Sequence, residues 1–335
     1  MINQFHALSL AELCDRLCEK KTTLIIYHVR SDADAIGSAF SLRELLRLMG
    51  IPAICACSDE IPERLRFLAD GVQGSVLPEE GMELDAERVI SVDSASPQQL
   101  GDLYTRLHKY VDMMIDHHGV GTVYTDYYID PEASATGEIV YEIAKELLRK
   151  GEIDEIPPRV INGVYAAICS DTGCFRFANT TPKALRYTAE LLEAGAEQHQ
   201  INRCLFEAKS VKQVRAEGEA ARHLSLYEGG RIASVTFPYS SKFSLSLSDE
   251  HLETIIDIPR SIKGVEVAFS VRQPEDTSFF RVSMRSSSDV DVSRICALFG
   301  GGGHKKAAGC SVEAANVGAA EEKILLAIRK EMKLI

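Results

Sequence analysis

Short apolar runs alternating with helix-forming stretches constrain this chain more than any other feature. "TLIIYH" (residues 23–28), "IPAICACS" (51–58), "RVISVD" (88–93) and "YVDMMIDHH" (110–118) are nearly continuous in apolar residues. An antiparallel strand with one solvated face would alternate, so unbroken runs point to strands buried on both faces of a parallel sheet. Parallel neighbours need long crossovers. "DAIGSAFSLRELLRLMG" (34–50) supplies one as an amphipathic helix stopped by Gly50 and Pro52. Three more helices follow. "SATGEIVYEIAKELLRKG" (134–151) is expected to be capped by Ser134. "PPRVINGVYAAICSDTG" (157–173) is the second, and "TPKALRYTAELLEAGA" (181–196) begins with a Thr cap and Pro at the first helical position. The fold class is α/β, a parallel-sheet domain covered by helices.

The pattern changes near residue 225. "EQHQINRCLFEAKSVKQVRAEGEAARHLSLYEGG" reads as a polar helical connector closed by Gly229 and Gly230. Beyond it come the strands "RIASVTFP", "VEVAFSVRQ" and "SFFRVSMRS". A helix "VSRICALF", four glycines, a strand "AAGCSV" and a last helix complete a smaller α/β domain. The expected division is 1–200, a connector at 201–228, and 229–335. The 335 residues are enough for two such cores.

The acids and histidines cluster where strands end. The first run ends in His28, Asp32 and Asp34, the third in Asp93, the fourth in Asp116, His117 and His118, and the helix "VYAAICSDTG" in Asp171. Any one of these acids, taken alone, reads best as a helix cap. Taken together they do not, because the carboxyl ends of parallel strands share one crevice. Carboxylates converging there would repel and raise one another's pKa values unless cations sat between them. Imidazole with carboxylate and no thiolate suits Mn²⁺ or a similar divalent ion. Two such ions, about 3.5–4 Å apart, form a clamp for in-line displacement at phosphorus.

Bulk properties narrow the class further. A formal net charge of −12 excludes a protein that coats long duplex nucleic acid. No apolar run is long enough to span a bilayer. The beginning, "MINQFHALSLAELCDRLCEK", lacks the basic and apolar regions of a secretory signal. Nine scattered cysteines, an odd number, fit free thiols in a reducing cytoplasm. Cys55 and Cys57 offer thiols that could ligate a metal, but they are expected to lie on one face of a short buried strand.

"HVRSDADAIGS", "SVDSAS", "DHH" and "SDTGCFRFANTTP", in that order, resemble the four motifs of the DHH phosphoesterase superfamily. "MRSSSDVDVSRICALFGGGGHKKAAGC" resembles the DHHA1 domain. Together they resemble the stand-alone nano-RNase and pAp-phosphatase group over nearly the whole chain. The family usually has Pro and Gly where this chain has Ser31 and Ala33; every acid and histidine is kept.

The resemblance implies an active site in the cleft between the two domains, with two divalent ions, Mn²⁺ first among them. His28, Asp32 and Asp93 would hold one ion, and Asp34, Asp93, His117 and Asp171 the other. Asp116 and His118 are the catalytic candidates, which orient the site and touch substrate. In the second domain Arg285, Ser286 and Ser287 at a strand end, and Gly301, Gly302, Gly303 and His304 in a glycine loop, would hold the substrate's terminal phosphate and nucleotide. Successive glycine N–H groups can form an anion nest.

The implied activity is hydrolysis of short oligoribonucleotides to 5′-mononucleotides and of 3′-phosphoadenosine 5′-phosphate (pAp) to AMP, with linear dinucleotides such as pApA also fitting. A homodimer is left open. Competing readings are an inorganic pyrophosphatase-like enzyme, a single-strand exonuclease, and a non-catalytic nucleotide- or RNA-binding module.

Overall fold

Each apolar run forms a strand, and the residues between them form the crossovers. The computed structural model describes residues 5–69, 86–107 and 109–334, and the backbone alone of His304. The chain divides into two units, Met1–Ala208 and Lys209–Ile335.

The first unit runs α1 (Leu10–Cys18), β1 (Thr23–Tyr27), α2 (Ala33–Leu48), β2 (Ala53–Ala56), β3 (Arg88–Val92), α3 (Asp102–Leu107), β4 (Val111–Asp116), β5 (Asp126–Ile129), α4 (Thr136–Lys150), α5 (Pro158–Asp171), α6 (Pro182–Glu193) and α7 (Gln198–Asn202). Its sheet has the order β2-β1-β3-β4-β5, and every pairing is parallel. Every residue of β1 is buried. Ile25 and Tyr27 join the large core under α2, α4 and α5, while Leu24 and Ile26 pack on the other face with Leu100, Leu103 and Leu107. The two-sided burial expected from the unbroken runs is present in β1 and β3, whereas in the edge strand β2 Ile54 is 50% exposed and in β4 Asp112 is exposed. Tyr124 to Asp130, whose alternation favours an ordinary strand over a base-stacking segment, contains β5.

In this strand order the chain leaves β1 toward β2 and then crosses back to β3. The crevice between the carboxyl ends of β1 and β3 is where ligands bind in such sheets. His28 follows β1 and Asp93 follows β3, one on each side of that crevice.

The second unit runs α8 (Val211–Arg222), β6 (Leu224–Tyr227), β7 (Ile232–Phe237), α9 (Tyr239–Ser244), α10 (Asp257–Arg260), β8 (Val267–Arg272), β9 (Phe279–Ser286), α11 (Val292–Ala297), β10 (Gly302–His304), β11 (Ala307–Glu313) and α12 (Val317–Glu331). Its sheet order is β10-β11-β9-β8-β7-β6, antiparallel except for β7 with β8. Two elements correct the sequence reading. "LSLY", taken as the end of the helical connector, is the edge strand β6. The four glycines, taken as a loop, lead into and form β10.

The glycines of that hairpin have a packing reason. A Cβ on Gly301 would lie 2.2 Å from the Gly309 carbonyl oxygen, and Gly303 has φ +139°. The amides of Gly300 and Gly301 donate to Ala297 and Cys296 at the end of α11, so those two N–H groups are already used.

All nine cysteines are free thiols. Cys55 in β2 and Cys57 just past its end are both buried, and burial pushes the Cys55 thiol up to about 12, so it stays protonated. Among the described residues no helix is long and apolar enough to cross a membrane.

Candidate metal centre

The turn after β1 is built to aim three side chains. Arg30 takes φ +55°, and the buried Ser31 donates its hydroxyl to the His28 carbonyl at 2.7 Å, closing the turn. Ala33 has no positive φ. Asp32 does serve as the cap of α2, its Oδ1 accepting from the amides of Asp34 and Ala35 at 3.0 Å each. The same Oδ1 lies 3.8 Å from His28 Nε2. Capping and site-building are thus one placement.

Asp34 is fully buried in the first turn of α2. Its Oδ1 accepts from the Ser38 hydroxyl and the Gly137 amide at 2.9 Å each, and its Oδ2 from the Thr136 amide at 2.7 Å. Asp34 therefore caps α4, which begins 102 residues later. The expected cap, Ser134, is corrected: its hydroxyl donates to the Asn179 carbonyl at 2.6 Å, and Ala135 takes the cap position with no side-chain bond. A carboxylate at a helix N-terminus is favoured by the helix dipole and satisfies amides that have no intrahelical partner. Gly137 must be glycine here, because a Cβ would lie 2.4 Å from Ala167 Cβ on α5.

Asp93 sits at φ +54°, a left-handed conformation that Asp tolerates better than most residues. Its Oδ2 lies 3.4 Å from His28 Nε2 and its Oδ1 lies 3.8 Å from His117 Nε2. Its two oxygens thus face different imidazoles. His117 Nε2 also lies 3.4 Å from Asp171 Oδ2 and 3.8 Å from Asp34 Oδ2. Asp171 is the last residue of α5, with its side chain 23% exposed.

Imidazole orientation is settled from behind. His28 Nδ1 lies 2.9 Å from the Val29 carbonyl, and His117 Nδ1 lies 3.2 Å from the Ala133 carbonyl. A carbonyl only accepts, so Nδ1 carries a proton and Nε2 is the nitrogen left to ligate, as in histidines that bind metals. His117 Nε2 is buried and, among the described residues, has no hydrogen-bond partner. An orphaned buried nitrogen among three carboxylates is poorly satisfied by protein alone and well satisfied by a cation.

The described residues hold three overlapping groups whose ligand atoms lie within 4.8 Å of one another: His28, Asp32 and Asp93; Asp34, His117 and Asp171; and Asp93, His117 and His118. His118 differs from the other two histidines. Its Nδ1 lies 2.7 Å from Asp116 Oδ1, which also accepts from the His117 and His118 amides.

The electrostatics fit a centre that expects cations. Burial and the charge of Asp93 push Asp34 up to about 7. Burial and the neighbouring carboxylates raise Asp171 well above the usual range. Burial disfavours charge on His28, yet the Asp93 and Asp32 carboxylates outweigh it and raise its pKa to about 10. For His118 the same opposition, won by Asp116 and then Asp93, gives about 9. Burial also opposes ionisation of Asp93, but the three imidazoles hold it well below the usual carboxylate range. Protons here occupy positions that cations would take.

The structure thus brings His28, Asp32, Asp34, Asp93, Asp116, His117, His118 and Asp171 together. Thr136 and Ser38 were missed as site residues: both contact Asp34, and Thr136 also contacts Asp93. The signal was the "SATGE" stretch, which a local cap explained too easily.

In the second unit, Arg285 pairs in register with Ala307, and Ala307 pairs with His304, so Arg285 and His304 occupy one row of the sheet. The His304 side chain lies outside the described residues. Arg285 Nη1 donates to the Met284 carbonyl at 3.0 Å, burial lowers its pKa, and among the described residues it has no ion-pair partner. Ser286 and Ser287 donate their hydroxyls to the Ser288 and Val265 carbonyls, at 3.0 and 2.5 Å. Gly301 abuts β11, and Gly302 and Gly303 pair with it.

Comparison with known proteins agrees with this reading of the chain. The model of the DHH family N-terminal domain matches residues 22–168, and that of the DHHA1 domain matches residues 236–333. The bifunctional oligoribonuclease and PAP phosphatase NrnA of Thermus thermophilus is 31% identical over 310 residues, 92% of this chain and 89% of its own. Its namesake from Bacillus subtilis is 29% identical, covering 87% and 89%. The crystal structure of an exopolyphosphatase-related protein from Bacteroides fragilis superposes over 99% of both chains with a TM-score of 0.87 at 22% identity, which shows the shared fold.

Proposed function

This chain belongs to the DHH family of phosphoesterases, with a DHHA1 domain as its second unit, and on that premise we propose that it is a two-metal hydrolase of short oligoribonucleotides and pAp. The products would be 5′-mononucleotides and AMP; linear dinucleotides such as pApA fit the same chemistry. The observation that carries the two-ion reading is Asp93, whose oxygens face His28 on one side and His117 on the other.

We assign His28, Asp32 and Asp93 to one ion and Asp34, Asp93, His117 and Asp171 to the second. The donor set, imidazole and carboxylate without thiolate, favours Mn²⁺. Bound there, two such ions would activate water as a nucleophile at neutral pH and neutralise charge developing on the phosphoryl oxygens. The chain's own residues supply the rest. The Val29 and Ala133 carbonyls keep the protons of His28 and His117 on Nδ1. Asp116 holds the proton of His118 at Nδ1, which directs any proton exchange with substrate to Nε2. Asp116 also fixes the backbone that carries both histidines.

Arg285 is assigned to the substrate's terminal phosphate, with His304 in the same register row and Gly301, Gly302, Gly303, Ser286 and Ser287 around the strand ends. Its planar fork matches phosphate geometry, and a half-buried guanidinium with no ion-pair partner among the described residues favours an anion.

The test is a substrate panel with Mn²⁺, products resolved by size and identity: pAp, 5′-phosphorylated and unphosphorylated dinucleotides, a longer RNA, and inorganic pyrophosphate. Turnover of pAp and short chains to AMP and 5′-mononucleotides is expected. Preferential turnover of pyrophosphate, or of long RNA over dinucleotides, would replace this reading.

A further inference from the structure

Thr136 touches two carboxylates that come from distant parts of the chain. Its amide donates to Asp34 Oδ2 at 2.7 Å, and its hydroxyl donates to Asp93 Oδ1 at 2.9 Å. These are the two oxygens that lie 3.8 Å from His117 Nε2. Thr136 is fully buried, so no water competes for either bond. Asp34 rides on α2, Asp93 follows β3 and Thr136 opens α4, so one residue joins three elements at the centre.

We propose that Thr136 is a positioning residue for the ion on the His117 side, fixing the separation and lone-pair direction of Asp34 Oδ2 and Asp93 Oδ1. This rests on the two-ion reading above. Each carboxylate oxygen has two acceptor sites, so one can take the Thr136 hydrogen while the other faces the centre. Without the hydroxyl, Asp93 Oδ1 loses its only direct hydrogen bond among the described residues, and the carboxylate is held only from the Oδ2 side, by His28 at 3.4 Å. Asp93 Oδ2, the oxygen facing His28, has no contact with Thr136. The effect should therefore fall on one ion.

The obvious competing role is packing: a buried β-branched residue at the start of α4. Two substitutions separate the roles. Thr136→Val keeps the shape and the amide but removes the hydroxyl. Thr136→Ser keeps the hydroxyl and the amide but removes the methyl group. Binding is read on metal-free protein by titration calorimetry with Mn²⁺ and by the electron paramagnetic resonance of free Mn²⁺, neither of which depends on turnover.

Wild type is expected to bind two Mn²⁺ per chain. In Thr136→Val one of the two sites should weaken about 10- to 100-fold, the usual range for losing a partner that orients a ligand, while the other is unchanged. Thr136→Ser should bind like wild type. Two wild-type affinities in a folded Thr136→Val overturn the proposal. So does a Thr136→Ser as weak as Thr136→Val, since the methyl group would then be the part that matters. If Thr136→Val does not fold, Thr136→Ala against Thr136→Ser gives the same contrast. A wild type that binds no Mn²⁺ would instead remove the metal reading itself.

Discussion

His118 Nδ1 lies 2.7 Å from Asp116 Oδ1, and that one oxygen also accepts the amides of His117 and His118. Asp116 is 1% exposed, and among the described residues its other oxygen has no hydrogen-bond partner, so its charge is focused on this corner. The pair differs from His28 and His117, whose Nδ1 atoms meet neutral carbonyls. A carboxylate behind an imidazole stabilises the protonated ring; a carbonyl does so much less.

Asp116→Asn should therefore separate catalysis from metal binding. The amide keeps the shape and loses the charge. We expect kcat to fall about 10- to 100-fold, the range for orienting partners, with Mn²⁺ stoichiometry unchanged. His118 now has a pKa of about 9 that Asp116 helps to raise. Without that charge its pKa falls, so an alkaline limb due to His118 should move to lower pH. A kcat–pH profile identical to wild type would dissociate Asp116 from the proton held by His118.

Asp93→Asn should be the most damaging single change to metal binding. Asn tolerates the left-handed backbone at φ +54°, so the variant is expected to fold. It offers one carbonyl oxygen where the carboxylate faced two imidazoles. The expected result is loss of at least one of two Mn²⁺ sites by calorimetry and loss of nearly all hydrolysis. Near-normal turnover would remove Asp93 from the bridging role.

Metal binding should release protons at pH 7. In the metal-free protein His28, at about 10, is protonated, and an ion needs its lone pair. Mn²⁺ affinity should therefore rise with pH. Calorimetry in buffers of different ionisation enthalpy would count the protons, and none released would contradict the assignment. The stability of metal-free protein should run the other way. The folded pKa of His28 lies above the unfolded value of about 6.5, so its contribution is complete below that and is lost as pH rises toward about 10.

Arg285→Ala tests the phosphate anchor. Losing a charge-assisted bond costs about 1.5–3 kcal/mol, on the order of a 10- to 150-fold drop in kcat/KM. That drop is expected for pAp and 5′-phosphorylated dinucleotides, with Mn²⁺ binding intact. It should largely vanish on a dinucleotide lacking the 5′-phosphate, where wild type loses the same contact. Equal penalties on both substrates would assign Arg285 to the fold or to the reacting phosphoryl group.

The parallel sheet and the acids at its strand ends were legible because each rests on a short-range rule. A strand buried on both faces must be apolar throughout, and "TLIIY" is. A crevice at the carboxyl ends of strands then collects whatever follows them, which is why His28, Asp93 and Asp116 could be grouped although they are far apart in sequence. The four motifs carried the same information as a resemblance.

What the sequence could not decide was which acceptor meets which donor. Ser134 stood in the usual place for a helix cap, but an N-terminal amide needs only a nearby acceptor, and Asp34 reached it from α2. The glycines at 300–303 read as a phosphate nest, and the tertiary structure makes them a hairpin: a Cβ at Gly301 would collide with β11. "LSLY" became a strand only because the edge of β7 was there to pair with it. Residue types and their order set the strands and the chemistry available at their ends. Hydrogen bonds between segments 43 to 103 residues apart depend on distances that exist only once the sheet and helices have packed, and those bonds orient the carboxylates.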